Sequence, residues 1–132
     1  MGFQEIPHTA DWALRVWADD LAGLLAESAR GMNALAGLVI IQDSRLKRKI
    51  DFEGVDGESL LVAFLSELVY ALEQEGLAFD QFDLRITGHK LAAEMAGGKI
   101  GSVARIIKAV TWHNLKIERT TRGLEVEIVF DV

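Results

Sequence analysis

The chain has 132 residues, half of them apolar, and a formal net charge of −6. One domain of this size can bury a proper core, while the acidic balance argues against nucleic-acid binding through the bulk field, because phosphates are repelled. There is no cysteine, which excludes disulfides, thiolate metal sites and a cysteine nucleophile and agrees with a cytoplasmic location.

In chain order, MGFQEIPH has no basic region followed by an apolar core, so it does not read as a signal peptide. Ile6 breaks the myristoylation pattern. No run of about 18 apolar residues predicts a membrane span. HTAD, residues 8–11, packs an imidazole, a hydroxyl and a carboxylate into the lead-in to a short strand, ALRVWA (13–18). Leu14 and Val16 share one face of it. DDLAGLLAESARGMNALAG then repeats apolar residues at three and four, interrupted only by Ser28, and predicts an amphipathic helix. Asp19 or Asp20 caps it and Gly37 closes it. Gly23 and Gly31 each weaken the helix by ~1 kcal/mol relative to alanine, which suggests close packing.

RLKRKIDFEG alternates as a strand. Leu46, Ile50 and Phe52 point one way and Lys47, Lys49, Asp51 and Glu53 the other, with Arg48 the exception at an inward position. Its basic run, residues 45–49, reads as a solvated strand face, with contact to RNA or an RNA-bound partner as the alternative. ESLLVAFLSELVYALEQEG is a second, more buried helix, capped by Asp56 and stopped at Gly76. QFDLRIT and LAAEMA make a hairpin about Gly88, and His89 is a solvated turn residue. GGKIGS, 97–102, is expected to be a loop; without Ser or Thr after Lys99 it is not a phosphate-binding loop.

VTWHNLKIER and LEVEIVFDV are two strands joined at TTRG. Pairing Thr120 with Gly123 sets Leu115 opposite Ile128, His113 opposite Phe130 and Trp112 opposite Asp131. Leu124, Val126, Ile128 and Phe130 face the core; Glu125, Glu127, Val129 and Asp131 face away. The elements together predict an α+β two-layer sandwich, residues 1–132 as a single domain, with a mostly antiparallel sheet and two main helices on one face.

Chemistry-bearing residues are few. Asp11 shares the parity of Arg15 and Trp17, and Asp131 that of Glu125 and Glu127, so both acids avoid the helix-covered face. The α-carboxylate of Val132 lies one residue beyond Asp131. Carboxylates brought together repel one another unless a cation joins them or one takes a proton, and hard divalent cations favour such oxygen donors. Solvated acids at strand ends account for the pattern equally well. His8 can orient a carboxylate or bind a partner, or be an ordinary loop histidine. His113, at core parity, reads as a buried neutral imidazole, with acid–base work as the alternative. Thr9 and Thr111 are hydroxyl donors without a visible activating base. Glu67, on the polar side of the second helix, is either solvated or aimed at a site near the sheet edge.

HTAD, LLVAFLSELVYALEQEG, IKAVTWH and the terminal VFDV, in this order and spacing, resemble the archease family over nearly the whole chain. The resemblance implies an archease-like fold and a non-catalytic helper of the RtcB-type RNA ligase in tRNA splicing, which promotes ligase guanylylation and turnover and broadens its nucleotide use. It also implies a divalent metal site, with calcium the expected ion and magnesium or manganese the alternatives. Its ligands would be Asp11, Asp131 and Val132, with His8, Thr9, Glu67, Lys108 and His113 as supporting or partner-binding residues. Little or no direct RNA contact and no membrane contact are expected. The chain departs from the family pattern at Ala18, Phe64 and Ser66, and GGKIGSVARI lacks the Arg-His pair expected of relatives. A chaperone-like binding module and a small metal-dependent hydrolase using Asp11, His8 and His113 are the competing readings.

Overall fold

Short polar caps and alternating strands account for most element boundaries. The computed structural model describes residues 1–7 and 11–132. It contains β1 (Gly2–Ile6), β2 (Trp12–Ala18), α1 (Leu21–Ala36), β3 (Val39–Ile40), β4 (Leu46–Glu53), α2 (Gly57–Tyr70), β5 (Leu77–Thr87), β6 (Lys90–Ser102), β7 (Ala109–Val110), β8 (Glu118–Thr120) and β9 (Gly123–Asp131). The Asp20 carboxylate accepts from the Gly23 N–H at 2.7 Å, and that of Asp56 from the Ser59 N–H at 2.8 Å, so each helix starts on an aspartate. Past Tyr70, α2 runs on into a π-helical turn, Ala71–Glu75, before stopping at Gly76. No helix among the described residues is long and apolar enough to cross a membrane.

The fold is α+β, and every strand pairing among the described residues is antiparallel. The strands divide into two sheets. The first runs β1-β2-β9-β7, with β8 also on β9; the second has β6 between β4 and β5, with β3 on the far part of β6. α1 packs on β1 and β2 of the first sheet and on β5 of the second, while α2 contacts β4 and β7. Both helices thus feed one core. Leu14, Val16, Ile128 and Phe130 enter it from the first sheet, Leu91 and Met95 from the second, and Leu25, Leu61, Phe64 and Leu65 from the helices. Phe64 meets Phe52 and Phe82 edge-on at 6.2 and 5.9 Å, a favoured aromatic geometry.

Gly31 is where α1 lies closest to the first sheet. A Cβ there would stand 2.5 Å from Leu14 Cδ2 and 3.0 Å from Phe3 Cγ. Ser28, the one polar interruption of the apolar stripe, is fully buried, and its hydroxyl donates to the Leu24 carbonyl at 2.7 Å. A buried hydroxyl satisfied within its own helix carries little penalty.

Three expectations require correction. GGKIGS is not a loop: β6 continues through it to Ser102, pairing Gly97 with both Leu46 and Phe79. Gly97 is needed there because β5 bulges at Asp80 and its main chain at Ala78 and Phe79 fills the space a Cβ would occupy, and Gly98 because a Cβ would stand 2.8 Å from the Ile41 carbonyl oxygen. The segment 110–119 is not one strand. β8 keeps the expected Thr120–Gly123 register, but β7 pairs Ala109 with Asp131 and Val110 with Phe130. A turn at 112–115, with Asn114 at φ 50° and the Leu115 N–H donating to the Trp112 carbonyl, takes up the excess chain. Asp131 is therefore opposite Ala109 rather than Trp112, Phe130 opposite Val110 rather than His113, Leu115 belongs to neither ladder, and His113 is exposed rather than buried. Val129, expected to face away, is buried beside Ala13.

Arg48 at its inward position is also explained. Its guanidinium crosses β6, stacks 5.4 Å from the Phe79 ring centroid and makes two 2.8 Å hydrogen bonds to Glu75 at the end of the π-helical turn. That pairing raises the arginine pKa and lowers that of Glu75. Lys47 and Lys49 stand on the solvated face, where Lys49 meets Glu94 at 3.4 Å.

Gly97→Ala should lower stability by about 3 kcal/mol through overpacking against main chain. Gly76→Ala, at φ 65° with open space around it, should cost only about 1 kcal/mol. Urea unfolding of the two variants checks this, and equal losses would contradict the close approach at Gly97.

Candidate functional site at the shared end of β2 and β9

The central ladder of the first sheet runs from Ala18↔Leu124 to Trp12↔Phe130. Asp11 directly precedes Trp12 and Asp131 directly follows Phe130, so the two acids bracket the same end of the sheet. Asp11 and Val132 are half-buried and Asp131 is exposed. β7 fastens this end: the Lys108 N–H donates to the Asp131 carbonyl at 2.8 Å, and both the N–H and the hydroxyl of Thr111 donate to the Val129 carbonyl, at 3.0 and 2.9 Å. From the other side Arg105 stacks 4.7 Å from the Trp12 ring centroid and hydrogen-bonds Glu5 at 3.0 Å.

Of the residues singled out from sequence, Asp11, Asp131, Val132 and Lys108 gather here. Lys108 does so through its main chain, with its side chain exposed. His8 and Thr9 lie outside the described residues. His113 sits on the exposed turn after β7, where its N–H donates to the Thr111 hydroxyl at 3.3 Å. Glu67 is half-buried on α2, and its charge acts on Arg48, which places it with the Arg48–Glu75 pair. Among the described residues, no group of three or more His, Asp or Glu side chains is arranged to hold a metal ion.

A second polar cluster was not singled out from the sequence. On the face of the first sheet away from the helices, Arg15 bonds Glu127 at 2.9 Å and approaches Glu125 at 3.8 Å. Arg122 holds Glu125 at 3.0 and 3.2 Å and lies 3.8 Å from the Trp17 ring centroid. The Thr120 hydroxyl donates to Glu125 at 3.0 Å. Glu125 is consequently held below the usual carboxylate range, chiefly by its hydrogen bond to Arg122, with burial opposing. A cavity of about 190 Å³ opens beside it, lined by Arg15, Asn114, Lys116, Glu118 and Glu127. The signal was present as shared parity of Arg15, Trp17, Glu125 and Glu127, but only the β2–β9 pairing places the two strands side by side.

The archease protein family model matches residues 3–132. The chain belongs to the archease family. It is 34% identical to the archease of Methanopyrus kandleri, with the whole of both chains aligned, and 32% identical to that of Pyrococcus abyssi over 92% of this chain and 91% of the other. In fold it matches an archease of Thermotoga maritima, described as a possible chaperone, with a TM-score of 0.73 at 24% identity, covering 98% of this chain and 96% of the other. It also matches protein 1598 of Methanobacterium thermoautotrophicum, with a TM-score of 0.72 at 20% identity over 99% of both chains. The archease match spans both ends of the β2–β9 ladder, and so includes Asp11 and Asp131.

The outer-face cluster has a pH signature. Glu125 has a lower pKa folded than unfolded, so its contribution to stability is complete above about 4.3, the ordinary glutamate value, and is lost as pH falls through the folded pKa. Arg122→Met should return the Glu125 pKa toward the ordinary value and weaken this acid sensitivity. An NMR titration of the Glu125 carboxyl reads the shift directly, and an unmoved pKa would refute the assignment.

Proposed function

We propose that this protein is a non-catalytic accessory factor of an RtcB-type RNA ligase in tRNA splicing, acting in the cytoplasm to promote ligase guanylylation and multiple turnover. Family membership supports the reading, and the observation that carries it is the β2–β9 ladder, which brings Asp11 and Asp131 to one end of the sheet. The donor set there fits a hard divalent cation, since Asp11, Asp131 and Val132 all offer oxygen. In this proposal those three residues hold calcium, with magnesium or manganese as alternatives, and the cation's chemistry is to neutralise carboxylates that would otherwise repel. The protein's own contribution is positional. β7, through Lys108 and Thr111, holds the end of β9 in place, and Arg105 on Trp12 braces the start of β2. The acidic chain leaves RNA contact to the ligase.

A chaperone-like binding role is the second reading, favoured by the description of the Thermotoga maritima relative as a possible chaperone. It predicts protection of unrelated clients from aggregation, with no dependence on Asp11.

Ligation at limiting ligase separates the two. Asp11→Ala and Asp131→Ala should each reduce multiple turnover by ten-fold or more, while circular dichroism shows an intact fold. Undiminished turnover in both variants would refute the accessory role of this site.

A further inference from the structure

β4 is an edge strand. It pairs with β6 along its whole length without a bulge, and no other strand among the described residues pairs with it. The Gly54 N–H donates to the His89 carbonyl at 3.0 Å. Gly54 and His89 continue the Glu53↔Lys90 register, so they form a hydrogen-bonded pair, and such pairs recur at every second residue. The main-chain groups of Leu46, Arg48, Ile50 and Phe52 therefore point at β6, and those of Lys47, Lys49, Asp51 and Glu53 point at the open edge. A bulge or a proline commonly blunts such an edge; β4 has neither, the single proline of the chain being Pro7. On the inner face Leu46, Ile50 and Phe52 remain only half-buried. The side chains of the four edge residues are exposed on the outer face and read Lys, Lys, Asp, Glu in chain order. Reversed, that order is its own complement. In an antiparallel pairing of two copies about a two-fold axis at Ile50, Lys47 stands opposite Glu53 and Lys49 opposite Asp51, twice over. A shift of two residues is the smallest that keeps the edge groups bonded, and it sets Lys49 opposite Lys49, or Asp51 opposite Asp51, on the axis. Charges at an edge ordinarily hinder pairing; these favour one register over its neighbours.

We infer that two copies of this chain join edge to edge through β4, antiparallel about Ile50, and so merge their second sheets into one. The interface is isologous, the same strand serving on both sides. It supplies up to about eight main-chain hydrogen bonds from groups that otherwise face solvent. On the inner face it sets Ile50 beside Ile50 and Arg48 beside Phe52 of the second copy, covering apolar surface that one copy leaves open. The charges select the register more than they add affinity, since exposed ion pairs are worth little each. Within one copy Lys49 approaches Glu94 at 3.4 Å and Glu53 approaches Lys90 at 3.5 Å. Pairing therefore leaves Lys49 and Glu53 each flanked by opposite charge on both sides. The inference is independent of the accessory role, because Asp11 and Asp131 belong to the other sheet.

Sedimentation velocity of the full chain over a rising concentration series tests this, with main-chain hydrogen exchange followed by NMR. A monomer–dimer equilibrium is expected. The Lys49 and Asp51 N–H groups should exchange ten-fold or more slowly in the dimer, and that of Ile50, already bonded to β6, should change far less. Lys49→Asp and Asp51→Lys each set like charges across the axis and should each weaken self-association ten-fold or more. Mixed in equal amounts, the two variants should form a heterodimer, because the new aspartate of one then faces the new lysine of the other. Both positions are exposed, so thermal midpoints within error of the unsubstituted protein verify the fold, and the exchange measurement stands without either variant. A monomer at every concentration overturns the inference. A dimer that both variants retain in full, or that leaves the Lys49 and Asp51 N–H groups exchanging as before, places the interface elsewhere and overturns it too. A mixture of the two variants that stays monomeric overturns the register.

Discussion

The antiparallel contact between β2 and β9 is the constraint on which the other features rest. It joins segments so far apart that Arg15 and its hydrogen-bond partner Glu127 are separated by 112 positions in the chain. Closing so long a loop costs entropy that few local contacts offset. The gain comes from the inner face, where Leu14, Val16, Val126 and Ile128 are essentially removed from water and α1 rests directly on them through Gly31. The outer face adds the Arg15–Glu127 and Arg122–Glu125 pairs, which are partly exposed and worth little individually. Their effect is to select register, because a slip of one residue would set Arg15 opposite Val126 or Ile128 and move the apolar rows to solvent.

The second sheet is locked by a different device. Its central strand β6 carries two adjacent buried glycines, Gly97 where the bulged β5 crowds in and Gly98 where the main chain at Ile41 and Ser44 does. Arg48 reaches across β6 to Phe79 and Glu75, tying β4 to the π-helical turn that ends α2. α1 bridges the two sheets, and the strap from β6 to β7 runs from the second to the first past the end of α1. The end of the first sheet that carries Asp11 and Asp131 is therefore braced by β7 and by the strap, whose Arg105 stacks on Trp12.

Fold legibility followed the locality of the forces. Both helices, their aspartate caps and the β5–β6 hairpin depend on neighbours within a few residues, and the sequence pattern located them. Where the pattern misled over 97–102 and 110–119, contacts from elsewhere in the chain decided the outcome. The glycines of 97–98 look like loop residues because nothing local reveals the main chain that crowds them, from β5 at Gly97 and from Ile41 and Ser44 at Gly98. The run from Val110 to Arg119 alternates well enough for one strand, yet Asn114 adopts a left-handed conformation and three extra residues separate the β7 and β8 registers. His113 left the predicted core for that reason alone. The short strands β1 and β3 had no visible signal, since five- and two-residue segments carry too little periodicity to stand out.

Composition, parity and motif order, all local or additive properties, determined from the sequence by itself that this is an acidic, cysteine-free α+β chain of the archease family. Strand parity also led to the expectation that Asp11 and Asp131 face away from the helices. Only the tertiary structure decided that those two strands are neighbours and that the acids stand at the same end. Strand parity is an intrinsic property of each segment, whereas the choice of partner strand is settled by which buried surfaces fit together across the whole chain.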